Sequence, residues 1–232
     1  MTPLDEDEID FSKDSYRIRL VIAGESGVGK SCFLKRLCEG VYEEGYGLNQ
    51  PTIGVDFRIY SYQTGTGKKV NCRVWDTAGE ERFHAISSAY FRGSGIVLFC
   101  YDMTDITTLD ALYRTWLPIF EREYNSLSVG QKAFTSSSSI LPVICVIGTK
   151  KDLPRHPNTF HQIHSLLDKF RDLGYSVHHF ETSAKDDFNV KTVVHFAIDL
   201  ADTLSILKKE EPSKLISLAA APHPPSSCCS YS

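Results

Sequence analysis

"YRIRLVIAGESGVGKS", residues 16 to 31, decides how this chain folds. Residues 16 to 24 are rich in aliphatic side chains and read as a strand, and from residue 30 the pattern turns helical. Between them, "GESGVGKS" (24 to 31) fits the pattern of glycine, four residues, then Gly-Lys-Ser. Small residues let the backbone of Glu25, Ser26, Gly27, Val28 and Gly29 wrap so that its N–H groups point inward. The helix N-terminus adds partial positive charge, so the turn is a phosphate cradle. Lys30 would reach the β and γ phosphates and the Ser31 hydroxyl would bind Mg²⁺, with Cys32 next in the same first turn. Kinases, ATPases and GTPases all carry such a loop, so it names neither the base nor the reaction.

Outward from this unit, β-rich runs at 95 to 102, 142 to 149 and 176 to 183 alternate with helical patterns at 30 to 39, 105 to 124, 158 to 173 and 188 to 207. "GIVLFCYD" and "PVICVIGT" are apolar throughout, as strands covered on both faces should be. The alternation predicts right-handed βαβ units, an α/β fold with a mainly parallel sheet. "DFRIYSYQTGTGKKVNCRVWD" instead holds two alternating runs around "TGTGK", a hairpin that adds one antiparallel edge strand.

With 232 residues the chain suits one cored domain plus tails, and 42% hydrophobic with 23% charged residues is ordinary for a globular protein. A formal net charge of −4 argues against general nucleic-acid binding. The acidic start, "MTPLDEDEIDFSKD" (1 to 14), lacks the order of a signal peptide, and no stretch has the length of a membrane helix, so a cytosolic location is expected. Cys32, Cys38, Cys72, Cys100 and Cys145 show no metal-ligand spacing, and no disulfides are expected. Irregular structure is expected over 43 to 51, over the serine-rich 125 to 139, and in a flexible tail from 208 to 232.

Two further motifs close strands: "GTKKD" (148 to 152) and "ETSAK" (181 to 185). The ends of parallel strands are where ligands bind in such sheets, so both can meet one base. The Asp152 carboxylate can accept from the N1–H and exocyclic amino group of guanine, whereas adenine has no donor at N1.

The ordered set GESGVGKS, PTIGVDF, WDTAGEERF, GTKKD and ETSAK resembles the Ras superfamily of small GTPases and, within it, the Rab branch. The resemblance covers about 15 to 207 and implies a small G domain: a six-stranded sheet flanked by helices, switching between GTP-bound and GDP-bound forms. It implies that Thr52 binds Mg²⁺ when GTP is present, that Asp76 holds the metal, and that the Gly79 N–H senses the γ phosphate. Thr149, Lys150 and Asp152 would clasp the base, Ser183, Ala184 and Lys185 would support it, and Tyr42 would lie beside it. Phe57, Trp75 and Tyr90 match an aromatic trio that Rab proteins present to effectors; core packing also accounts for them. The implied partners are effectors, an exchange factor, an activating protein and a prenyl-binding escort, with the chain a monomer.

Three positions depart from the usual pattern. Thr149 stands where most members have the asparagine that ties the base loop to the P-loop, although Rac-type members also read TKxD. Ser26 is common in Rab proteins. Glu80 replaces the usual glutamine, which with Lys30 makes up the expected catalytic pair; glutamate keeps the acceptor toward the attacking water and loses the donor toward the phosphoryl oxygens. Either Rab-like switching or a guanine-nucleotide-dependent scaffold with altered hydrolysis follows. The ending "CCSYS" resembles double-cysteine prenylation signals at Cys228 and Cys229, and Cys229-Ser-Tyr-Ser also reads as a CaaX-type box. Two lipids give stable anchoring to the cytoplasmic face of membranes, and Lys208, Lys209 and Lys214 against Glu210 and Glu211 are too few to replace one.

Overall fold

The computed structural model describes residues 15–45, 55–77, 91–130 and 142–210. Six strands, β1 (Ser15–Ala23), β2 (Val55–Gln63), β3 (Lys69–Thr77), β4 (Ile96–Asp102), β5 (Val143–Thr149) and β6 (Val177–Glu181), form one sheet in the order β2-β3-β1-β4-β5-β6. All neighbours run parallel except β2 against β3, the expected antiparallel edge. Every residue of β4 and β5 is buried, because helices cover both their faces. β1 changes along its length: Arg17 and Arg19 are exposed, whereas Leu20 to Ala23 are wholly buried. Two apolar layers result, one holding Leu20, Ile22 and Phe33, the other Val21, Phe99 and Trp116.

Helix α1 (Lys30–Glu39) starts after a left-handed Gly29 and ends at a left-handed Gly40, whose N–H bonds the Arg36 carbonyl. Asp105 caps α2 (Ile106–Ala111) by accepting from the Thr107 N–H at 2.9 Å. α4 (Thr159–Asp172) carries Lys169 and Arg171 in its last turn, where cations meet the negative helix end.

Three features of the helices differ from the sequence reading. The helix expected over 105 to 124 is broken by a π-helical turn, Leu112–Trp116, before α3 (Leu117–Gly130) continues. α3 also takes in 125 to 130, expected to be irregular; the stretch "NSLSVG" has no proline and its one glycine is last, so nothing in it stops a helix already begun. α5 (Val190–Glu210) runs three residues past its expected end. No described helix is long and apolar enough to cross a membrane.

The β2–β3 hairpin is fastened to α5. Its turn closes through Thr64 N–H to Lys68 O at 2.9 Å and a left-handed Gly67. Asp199 accepts from the Gly65 N–H at 3.0 Å and the Tyr62 hydroxyl at 2.9 Å, while buried Asp202 accepts from Thr66 at 2.7 Å and Lys68 at 2.9 Å. His195 stacks on Tyr62 at 4.0 Å and shares a 2.7 Å hydrogen bond with the Tyr60 hydroxyl. Burial holds the His195 pKa below its ordinary 6.5, against the opposing pull of Asp199. The unfolded chain therefore takes up this proton first, so the contribution is complete above pH 6.5 and declines as pH falls toward the folded value. Thermal melts between about pH 7 and pH 5.5 should show a smaller acid-side loss of Tm for His195→Gln than for the parent.

Candidate functional site

The turn from β1 into α1 is built on glycine. Gly24, Gly27 and Gly29 have φ of 146°, 77° and 96°. A Cβ on Gly24 would lie 2.2 Å from the carbonyl oxygen of Cys100 on β4, so the loop's first residue is fixed against the neighbouring strand. Lys30 is buried, and its Nζ donates to the Gly24 and Glu25 carbonyls at 2.8 and 2.7 Å, which keeps the ammonium inside the loop. Burial lowers its pKa, while Asp76 pulls it back up.

β3 delivers Asp76 to the same point, 2% exposed, where it accepts a short hydrogen bond from the Ser31 hydroxyl. A hydroxyl and a carboxylate at a helix N-terminus are the hard oxygen donors that Mg²⁺ prefers. No cluster of three or more His, Cys, Asp or Glu suited to a metal occurs among the described residues, so water, hydroxyls and ligand oxygens would complete such a shell.

β5 and β6 end beside this loop. Thr149 is buried, and its hydroxyl lies 2.6 Å from the Val28 carbonyl of the P-loop and 2.9 Å from the Tyr101 carbonyl. The tie that asparagine supplies elsewhere is thus made here by a shorter side chain. Thr149→Val leaves these carbonyls without that donor; the loss should be about 1–3 kcal/mol of unfolding free energy in urea titrations. Lys150 follows with φ of 59°, left-handed, and its Nζ pairs with Asp102 Oδ2 at 2.6 Å. Asp152 accepts from the Ser183 hydroxyl at 2.7 Å, and that oxygen accepts in turn from the Asp186 N–H at 3.0 Å. From α1, Arg36 donates to the Ala184 and Lys185 carbonyls at 2.6 and 3.1 Å, which holds this loop against the first helix.

One cleft is lined by Gly29, Cys32, Tyr42, Thr149, Lys150, Asp152, Ala184 and Lys185 together with Phe33, Leu153 and Thr182. Of the residues singled out in the sequence, Gly29, Cys32, Tyr42, Thr149, Lys150, Asp152, Ala184 and Lys185 line this cleft, whereas Glu25, Ser26, Gly27, Val28, Lys30, Ser31 and Ser183 are not in its lining. The Cys32 thiol is raised by burial, against the field of Lys150, and stays protonated at neutral pH. Phe57 and Trp75 sit away from the cleft on β2 and β3, ring centroids 5.0 Å apart, with Phe57 49% exposed. Thr52, Gly79, Glu80, Tyr90, Cys228 and Cys229 lie outside the described residues, as do 131 to 139.

Three contributors escaped the sequence reading. Trp116, at the end of the π turn and wholly buried, donates its indole N–H to Glu25 Oε1 at 2.9 Å and so fixes the second residue of the loop. Asp102 and Arg36 were also missed. Asp102 closes β4, so its place at a strand end was a readable signal; the other two carry none that is local.

A glycine cradle at a strand–helix junction, joined to two loops at neighbouring strand ends, defines a P-loop nucleotide-binding domain of the α/β class. The model of the Ras family matches residues 19–202. The chain is 32% identical over 228 residues to the Ras-related protein RABE1d of Arabidopsis thaliana, covering 93% of this chain and 94% of that one. It is 35% identical over 182 residues to the Ras-related protein RAB1BV of Beta vulgaris, 77% and 73% of the two chains. With the GTP-binding protein ypt1 of Schizosaccharomyces pombe it shares 34% over 180 residues, 76% and 75%. The chain belongs to the Ras superfamily of small GTPases, in its Rab branch.

Proposed function

We propose that this chain is a GTP/GDP switch that recruits effector proteins to intracellular membranes during vesicle traffic. The single observation that carries the reading is the convergence of Gly29, Lys150, Asp152, Ala184 and Lys185 on one cleft beside Lys30 and Ser31. In this reading 15–207 is the G domain, 1–14 an acidic extension and 208–232 a tail lipidated at Cys228 and Cys229. Lys30 and the loop N–H groups hold the phosphates; Ser31, Asp76 and Thr52 hold Mg²⁺, which neutralises phosphate charge when bound. Lys150 and Asp152 clasp guanine, Gly79 senses the γ phosphate, and Phe57, Trp75 and Tyr90 face the effector. The escort, exchange factor and activating protein complete the cycle at the cytoplasmic face of the membrane.

Titration of the full chain with GTP, GDP and ATP in Mg²⁺ tests this: both guanine nucleotides should bind far more tightly, and ATP binding at least as tight as GTP would contradict guanine recognition by Asp152. Glu80 favours a second reading, a scaffold that holds guanine nucleotide and hydrolyses it abnormally. Glu80→Gln restores the donor lost at this position, so single-turnover rates with an activating protein should rise by roughly 10-fold or more. Equal rates for the two proteins with and without activator would remove Glu80 from the mechanism.

A further inference from the structure

The phosphate loop carries a carboxylate of its own. Glu25 is the second residue of "GESGVGKS", between Gly24 and Ser26, in a turn whose N–H groups serve phosphate oxygens. A negative charge at that point acts in two opposed ways. Burial lowers the Lys30 pKa and the fields of Asp76 and Glu25 oppose the fall, so the carboxylate helps to keep the ammonium charged. Turned toward a bound di- or triphosphate, the same carboxylate would repel it.

Two contacts divide Glu25 between these demands. Its main-chain carbonyl accepts from Lys30 Nζ at 2.7 Å, and its side-chain Oε1 accepts from the Trp116 indole N–H at 2.9 Å. Neither Glu25 nor Trp116 is in the lining of the nucleotide cleft. The Trp116 ring is wholly buried in the layer that holds Val21, Ala23 and Phe99. A ring packed in this way cannot swing aside without opening the core, so its N–H is a fixed donor, unlike a cation on a long flexible stem.

The helix is irregular where it delivers this donor. Trp116 closes the π turn Leu112–Trp116, in which the Leu117 N–H bonds the Leu112 carbonyl five residues back. Single π turns inside α-helices gather at functional sites, and this one ends on the residue that reaches the loop.

We propose that Trp116 is a positioning residue for the phosphate loop: its indole N–H holds the Glu25 carboxylate away from bound phosphates and thereby slows nucleotide release. The proposal rests on the reading of this chain as a nucleotide switch and concerns the rate at which that switch lets its nucleotide go. An indole that merely stabilised the core would act alike on a charged and a neutral residue 25, which separates the two roles by experiment.

The full chain is loaded with methylanthraniloyl-GDP in Mg²⁺ and chased with excess unlabelled GDP. Release rates are compared for the parent, Trp116→Phe, Glu25→Gln and Trp116→Phe/Glu25→Gln. Glutamine keeps an acceptor oxygen and removes the charge. The proposal expects Trp116→Phe to speed release roughly 10-fold when residue 25 is glutamate and about 2-fold or less when it is glutamine. Equal acceleration in the two backgrounds would overturn it, as would no acceleration in either. If Trp116→Phe melts below the assay temperature, 3-benzothienylalanine at position 116 takes its place and carries the same two expectations, because sulfur replaces the N–H while the ring keeps its size. Labelled ADP held as tightly as labelled GDP, with the Glu25-dependent acceleration present for both, supports this role of Trp116 while contradicting the guanine-switch reading.

Discussion

Asp152→Ala should weaken GTP binding by roughly 10²- to 10⁴-fold and abolish most of the preference over ATP. Ser183 donates to one oxygen of this carboxylate at 2.7 Å, and the residue lines the cleft beside Lys150 and Ala184. An ionised carboxylate has about four acceptor sites on its two oxygens, so this bond leaves capacity for the N1–H and amino group of guanine. Two charge-assisted hydrogen bonds at about 1.5–3 kcal/mol each set the range. Adenine presents no such pair of donors, so its affinity should change little. The nucleotide-free protein should melt almost as before, because Ser183 keeps its hydrogen bond from the Asp186 N–H. Competition of GTP and ATP against a fluorescent guanine nucleotide measures the ratio; unchanged selectivity would remove Asp152 from base recognition.

Gly24→Ala should be the most damaging small substitution in the loop. The added methyl would stand 2.2 Å from the Cys100 oxygen, a backbone atom in a fully buried strand that cannot step aside. The φ of 146° adds conformational strain for any residue with a Cβ. Overpacking and strain, each about 1–3 kcal/mol, would together take roughly 2–6 kcal/mol from stability. A shift of the urea midpoint reads the loss, and stability like that of the parent would mean that β1 and β4 can separate at no cost. Ala at Gly27, where a Cβ would meet no atom within 4 Å, isolates the backbone strain from the clash.

How much of this was legible depends on the distance over which each signal acts. The β1–loop–α1 unit could be read because glycines, lysine and helix start lie within one short stretch. β4 and β5 could be read because strands buried on both faces leave uninterrupted apolar runs. The π turn at Leu112–Trp116 could not, since one extra residue in a helix barely disturbs a 3.6-residue period. Its consequence, the Trp116–Glu25 bond, joins residues 91 positions apart. The Arg36–Ala184 bond spans 148 positions, and neither arginine nor tryptophan announces such a partner locally. Thr149 shows a different limit: the sequence marked it as an exception, and only the 2.6 Å approach to Val28 explains how the exception works.

The central claim is that the chain cycles between nucleotide states. Full-length protein loaded with GTP in Mg²⁺, then followed for bound nucleotide and released phosphate over many turnovers with exchange and activating proteins, measures it most directly. The account predicts stoichiometric conversion of bound GTP to GDP, renewed by exchange and accelerated by activation. GTP that stays bound and intact under every one of these conditions would contradict the switch and leave a nucleotide-dependent scaffold in its place.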